Sequence, residues 1–97
     1  MAVVIFRRDA STVGLFSRSS AYRSAAAAGQ GDHQTAWDSA MAGWVRAPLA
    51  DDHGATLRGE LDHLVIRQIV PQRARALAQP PDAVQREWDD FKQRWAR

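Results

Sequence analysis

Cysteine is absent from this 97-residue chain. A disulfide framework and a thiolate site are therefore both excluded. No apolar run approaches the ~18 residues that a helix needs to cross a bilayer, so the sequence predicts no transmembrane segment. Lysine is nearly absent as well, because twelve of the thirteen basic residues are arginine. Arginine suits bidentate contacts with carboxylate or phosphate groups, although a GC-rich genome would explain the same bias.

Sequence signatures of a catalytic, metal or cofactor site are also lacking. The histidines His33, His53 and His63 do not have the spacing of three or four residues that sets metal ligands on one helical face. No serine lies in a nucleophile-elbow context, and the glycines at 29 and 31 follow no predicted strand that would make them a phosphate cradle. We therefore expect a non-catalytic protein with no cofactor and no metal ion.

Charge is unevenly distributed along the chain, although the net value is only +2. Residues 1–29 carry a net charge of +3, residues 30–66 carry −4, and residues 67–97 carry +3. The first segment is rich in Ser, Ala and Arg and holds one acid, which is the composition of an organellar presequence. We therefore divide the chain into a basic N-terminal arm (1–29) and a small helical domain (30–97), and the arm favours a mitochondrial setting.

Helical periodicity dominates the chain after residue 30. Asp32 occupies an N-cap position, and residues 33–45 predict a helix in which the small Ala36 and Ala40 would let another helix approach closely. The densely apolar stretch 55–70 predicts a second helix.

Proline and glycine set the expected boundaries. The second helix should stop or kink near Val70, because Pro71 cannot donate a backbone hydrogen bond. A short helix follows over Gln72–Gln79. In the arm, Ala25–Ala28 followed by Gly29 predicts a helix end with a left-handed glycine cap. The predicted fold is all-α, with three to four short helices and an irregular basic N-terminal arm.

The last predicted helix has the clearest apolar face. It follows Pro80-Pro81, and Asp82 with Gln85 has the spacing of a capping box. Apolar residues then recur at steps of four, three and four, at Val84, Trp88, Phe91 and Trp95. Burying the three rings, at ~150–250 Å² each and ~25 cal/mol/Å², would contribute on the order of 10 kcal/mol as an upper bound. An apolar face of this size must pack against another apolar surface.

The chain has more apolar helical surface than so short a polypeptide can bury by itself. We therefore expect another protein to cover part of that surface. We predict a non-catalytic accessory or structural subunit that docks into a larger protein assembly, with a mitochondrial complex as the favoured setting. The predicted partner-binding residues are Phe6, Phe16, Val84, Trp88, Phe91 and Trp95.

Two other functions stay open. The first is a small basic nucleic-acid-binding protein that contacts phosphates through the arginines of the C-terminal third: Arg67, Arg73, Arg75, Arg86, Arg94 and Arg97. Acids interleaved among the arginines of the last helix disfavour it. The second is an autonomous protein inhibitor.

Overall fold

The structure, a computed structural model, describes the backbone of residues 12–47 and 52–96 and the side chains of residues 20–47 and 55–96. Within these ranges it is helical and contains no strand, which confirms the predicted all-α class. Its elements in chain order are α1 (Thr12–Gly29), α2 (His33–Arg46), α3 (Asp52–Leu64), a π-helical segment (Val65–Ile69), α4 (Val70–Leu77) and α5 (Pro81–Arg94). Because α3, the π segment and α4 follow one another without a break, they form one long helix.

Helices α1 and α2 form a closely packed antiparallel hairpin. The hydroxyl of Ser24 on α1 donates to the carbonyl oxygen of Ala36 on α2 at 2.7 Å. Both Ala36 and Ala40 are completely buried, as their small size predicts for a close helix contact. Ala27 and Ala28 of α1 belong to the same core as the residues of α5, so the core extends into the segment that composition sets apart as an arm.

The turn between α1 and α2 corrects the predicted glycine cap. Gly31, not Gly29, has the left-handed conformation, with φ of 79°. The amide of Asp32 donates to the carbonyl of Ala27 at 2.9 Å, and that of Gly31 donates to Ala28 at 3.0 Å. These two bonds are the Schellman pattern, in which the left-handed residue lies beyond the last helical turn. The predicted N-cap is confirmed, since the Asp32 carboxylate accepts from the backbone N–H of Thr35 at 3.2 Å.

Pro71 does not stop the central helix, so the first of the two predicted outcomes near Val70, a stop, is wrong. The π segment ends two residues earlier, and there the amide of Val70 donates to the carbonyl of Val65, five residues back. A π turn is wider than an α turn, so it relieves the clash between a proline ring and the carbonyl four residues before it. The helix then continues to Leu77, where Ala78 ends it in a left-handed conformation with φ of 55°.

Helix α5 begins at Pro81 and corrects the predicted capping box. Pro80 is the N-cap and makes no side-chain capping bond, while Asp82 lies inside the first turn. Asp82 still favours the helix there, because its charge faces the positive end of the helix dipole. The apolar face of α5 is buried at Val84, Trp88 and Phe91 against the rest of the core.

Candidate functional site

The structure separates the predicted partner-binding residues into three groups. Val84, Trp88 and Phe91 are buried by this chain itself, at 0%, 0% and 4% exposure. Trp95 is 45% exposed. Phe6 lies outside the described residues, and the backbone of Phe16 lies in α1 while its side chain is outside the described part.

The aromatic face of α5 packs against a pair of tryptophans on α2. Trp88 makes edge-on contacts with Trp37 and Trp44, at ring-centroid distances of 5.8 and 5.6 Å, and it stacks on Phe91 at 5.3 Å. Aromatic pairs at these separations stabilise by about 0.5–1.5 kcal/mol beyond the area they bury. The premise that α5 requires another molecule to cover its rings is therefore wrong for Trp88 and Phe91.

A polar network connects Trp88 and Lys92 of α5 to Asp62 of α3. Its indole N–H donates to a carboxylate oxygen of Asp62 at 2.8 Å, and the Lys92 ammonium donates to the same oxygen at 2.7 Å. A second carboxylate, Asp89, lies 3.5 Å from Lys92. The buried indole therefore has a charged acceptor, which fixes the rotation of α5 about its own axis.

Arg58 on α3 joins the C-terminal ends of α2 and α5. Its Nε and Nη2 atoms donate to the carbonyl of Trp44 at 3.1 and 2.9 Å, and its Nη1 atom donates to the carbonyl of Trp95 at 3.2 Å. The guanidinium also lies 4.7 Å above the Trp44 ring. Partial burial lowers the pKa of Arg58, but arginine stays charged at every ordinary pH. The cation thus lies where helix dipoles are negative and the last carbonyls lack the α-helical donor four residues further on.

Helices α2 and α5 run in the same direction and leave a groove between them, called here the α2–α5 groove. Its C-terminal end is formed by Met41, Ala42, Val45, Arg46, Phe91 and Trp95. Val45 is 40% exposed, and together with half-exposed Trp95 it gives this end an apolar surface that faces solvent. Trp88 is fully buried and contacts the two tryptophans of α2.

The N-terminal end of the groove is charged. There Trp37, Met41 and Phe91 are accompanied by the charged residues Arg73, Glu87, Asp90 and Arg94. The two cations and two anions are mixed in one place, so this end does not form a uniformly basic surface.

Arg73 is already engaged within the chain. It lies 4.7 Å above the Trp37 ring, and its Nη1 atom is 3.0 Å from Nδ1 of His33 and 3.2 Å from the side-chain oxygen of Gln34. Because a guanidinium only donates, His33 accepts through Nδ1. This arginine therefore contributes to packing α4 against α2 and is not a free phosphate ligand.

Two chemical roles receive no structural support among the described residues. No three side chains of the His, Asp, Glu and Cys types come together there as a metal-binding group. No helix described by the structure is both long enough and apolar enough to span a bilayer.

The described residues define a small all-α domain with a tryptophan-centred core and a groove whose C-terminal end is apolar. In comparisons with known proteins, the chain matches no protein family, no curated protein and no solved structure.

Sequence reasoning missed Val45 as part of this groove and Arg58 as the residue that joins the helix ends beside it. Val45 belongs to the stripe 37, 41, 45 on α2, which has the helical spacing of four and was the available signal. Arg58 had no such signal, because a cation in the middle of a helix looks like an ordinary solvated residue until its tertiary partners are known.

Proposed function

We propose that this chain is a small non-catalytic helical subunit that docks into a larger protein assembly through the α2–α5 groove. The observation that carries the proposal is that Val45 and Trp95, 40% and 45% exposed, lie in the same groove. Single exposed apolar residues are ordinary on protein surfaces. A tryptophan beside other apolar groups in a concave site is instead typical of a binding hot spot.

The shape of the groove favours an amphipathic helix as the docking element of the partner. Parallel helices form its two walls, and from Trp37 to Val45 it extends eight residues along α2, or ~12 Å. That length matches about two turns of a docked helix, whose apolar residues at steps of three and four would contact Met41, Val45 and Trp95. The charged N-terminal end would then serve as the polar rim that surrounds most interface cores.

The arm supports a mitochondrial setting for this assembly. Residues 1–29 combine Ser, Ala and four arginines with a single acid, a composition typical of organellar import signals. Fusing residues 1–29 to a reporter and following its import into isolated mitochondria tests this part of the proposal. A reporter that stays outside would remove the mitochondrial setting without affecting the docking function.

The docking function is tested by capturing partners with the full-length chain and comparing two variants. The double variant Val45→Asp/Trp95→Asp puts charge into the groove. The control, Leu77→Asp, changes an apolar side chain that is similarly exposed, at 42%, but does not line the groove. We expect a stoichiometric complex that survives size-exclusion chromatography with the wild type and the control, and is lost with the groove variant.

Circular dichroism of both variants is the control for folding, and we expect helical spectra like that of the wild type. If the groove variant keeps the complex, or the control loses it equally, the groove is not the docking surface. A gel-shift titration of the wild type with duplex and single-stranded probes addresses the nucleic-acid alternative. Binding at low salt that falls steeply as salt rises would favour that alternative.

A further inference from the structure

The charges beside the α2–α5 groove change sign along its length. On α5, Glu87 and Asp90 precede Arg94, and all three side chains are exposed and line the groove. Within residues 20–47 and 55–96, the ion pairs of α5 are made by Lys92, so these three charges are available to another molecule. Helix α2 has the same order, with Asp38 in its second turn and Arg46 at its end.

This order makes the groove complementary to a second copy that runs in the opposite direction. A two-fold rotation about an axis across the groove reverses its direction and sets α5 against α5 and α2 against α2. Glu87 and Asp90 of each copy then face Arg94 of the other, so the same contact forms twice, as in other two-fold symmetric dimers. A parallel second copy would set acids against acids at one end and cations against cations at the other, which disfavours it.

The apolar groups of the groove match in the same antiparallel arrangement. Met41 and Phe91 line both ends of the groove and therefore lie at its middle, where the rotation axis passes. The half-exposed indole of Trp95 in each copy then faces the N-terminal end of the other groove, a cavity of about 340 Å³ that Trp37 helps to line. An apolar cavity of ~150 Å³ already holds a benzene ring, so this one has room for an indole.

The size of the groove determines how strong such an association can be. The groove extends ~12 Å along α2 and is about two helices wide, so its footprint is roughly a few hundred Å² per copy. Stable interfaces bury ~800 Å² per partner, and smaller ones are weak and transient. The expected dimer is therefore reversible and forms only at high protein concentration.

We propose that the α2–α5 groove associates with the groove of a second, antiparallel copy of this chain, and that each Trp95 packs into the N-terminal end of the other groove. This association goes beyond docking to another protein and does not depend on it, since every contact comes from this chain. A docked partner and the second copy exclude one another, because both use the same groove.

Sedimentation velocity of the full-length chain, from about 10 μM to about 1 mM, tests the association directly. We expect monomer at the lowest concentration and mostly dimer at the highest. The variant Val45→Asp/Trp95→Asp should remain monomeric throughout, because charge replaces the two apolar side chains that the second copy covers.

Charge reversal on α5 tests the antiparallel arrangement. Glu87→Arg/Asp90→Arg makes this side of the groove cationic along its length, and Arg94→Glu makes it anionic along its length. Each variant alone should self-associate at least about tenfold more weakly than the wild type, whereas an equal mixture of the two should form a dimer. Arg86→Glu is the matched control: it changes the net charge as Arg94→Glu does, but this exposed residue does not line the groove, so the control should dimerise like the wild type.

Four outcomes would overturn the proposal. A wild-type chain that stays monomeric at the highest concentration leaves the groove to another protein, and species larger than a dimer contradict a closed two-fold contact. Charge variants that self-associate like the wild type show that the copies meet through a different surface, and a mixture that stays monomeric excludes the antiparallel contact. Since the sample contains no other protein, none of these results decides whether the groove docks a partner.

Discussion

Removing Arg58 tests how the C-terminal ends of α2 and α5 are held together. Its guanidinium makes three hydrogen bonds to the carbonyls of Trp44 and Trp95 and stacks on the Trp44 ring. The substitution Arg58→Ala leaves both carbonyls without this donor and leaves two negative helix ends close together without a cation. Val45 and Trp95 lie beside those ends, so the same change loosens the C-terminal end of the α2–α5 groove.

The magnitude follows from the contacts. A charged hydrogen bond contributes about 1.5–3 kcal/mol when well formed, and a cation at a helix end contributes about 0.3–1 kcal/mol. The cation–π contact adds about 0.5–1 kcal/mol at an exposed site. Because these contributions share one partly exposed side chain, they do not add fully. We expect Arg58→Ala to lower the free energy of unfolding by about 2–3 kcal/mol. For a domain of this size that corresponds to a decrease in Tm of about 10–20 °C.

Urea unfolding followed by tryptophan fluorescence measures this loss. Arg58→Lys is the informative partial variant, because lysine keeps the charge but cannot contact both carbonyls with a planar fork; it should lose about half as much. Arg67→Ala is the matched control, since Arg67 is exposed on the same long helix, and it should stay within about 0.5 kcal/mol of the wild type. An Arg58→Ala protein as stable as that control would refute the reasoning.

Three further predictions concern helix ends and glycines. Ala78→Gly should stabilise the chain by about 1 kcal/mol in urea unfolding, because Ala78 has a left-handed φ of 55° that disfavours a side chain. Gly43→Ala should destabilise it in the same assay, since the new Cβ would lie 3.0 Å from that of Ser20, whereas Gly59→Ala, with open space, should stabilise it by about 0.5–1 kcal/mol. Asp32→Asn concerns pH. The Thr35 hydrogen bond lowers the pKa of Asp32, so the contribution of the charged cap is present above about pH 4 and is lost as pH falls through the folded pKa; a pH series of Tm should show less acid destabilisation in the variant.

The periodic features of the fold were predictable from the sequence. The helix 33–45 with its Asp32 cap and the apolar face of α5 both follow from local spacing, because an amphipathic helix has the same pattern wherever it packs. The small side chain of Ala36 also predicted that another helix would approach closely. It did not predict which helix that would be. It is α1, within the segment that composition assigns to the arm.

Features that depend on neighbouring turns were not predictable from single residues. Pro71 predicts a helix break by its own chemistry, but the π segment before it accommodates the ring. Asp82 and Gln85 have capping-box spacing, yet Pro80 takes the N-cap position and moves Asp82 into the helix. In both cases the residues that flank the position decide which of two local structures forms.

The candidate site shows the same division between pattern and placement. Trp88 and Trp95 lie on one stripe of α5, and sequence spacing treats them alike, but one is fully buried and the other is 45% exposed. The difference arises because α2 supplies two tryptophans over Trp88, whereas at Trp95 both helices are ending and the groove opens. The spacing of apolar residues identifies the side of a helix that avoids water. How much of that side remains exposed depends on how far the facing helix extends, which the spacing does not give. In this protein the available part is the C-terminal end of α5 beside Val45, and the docking proposal depends on that one place.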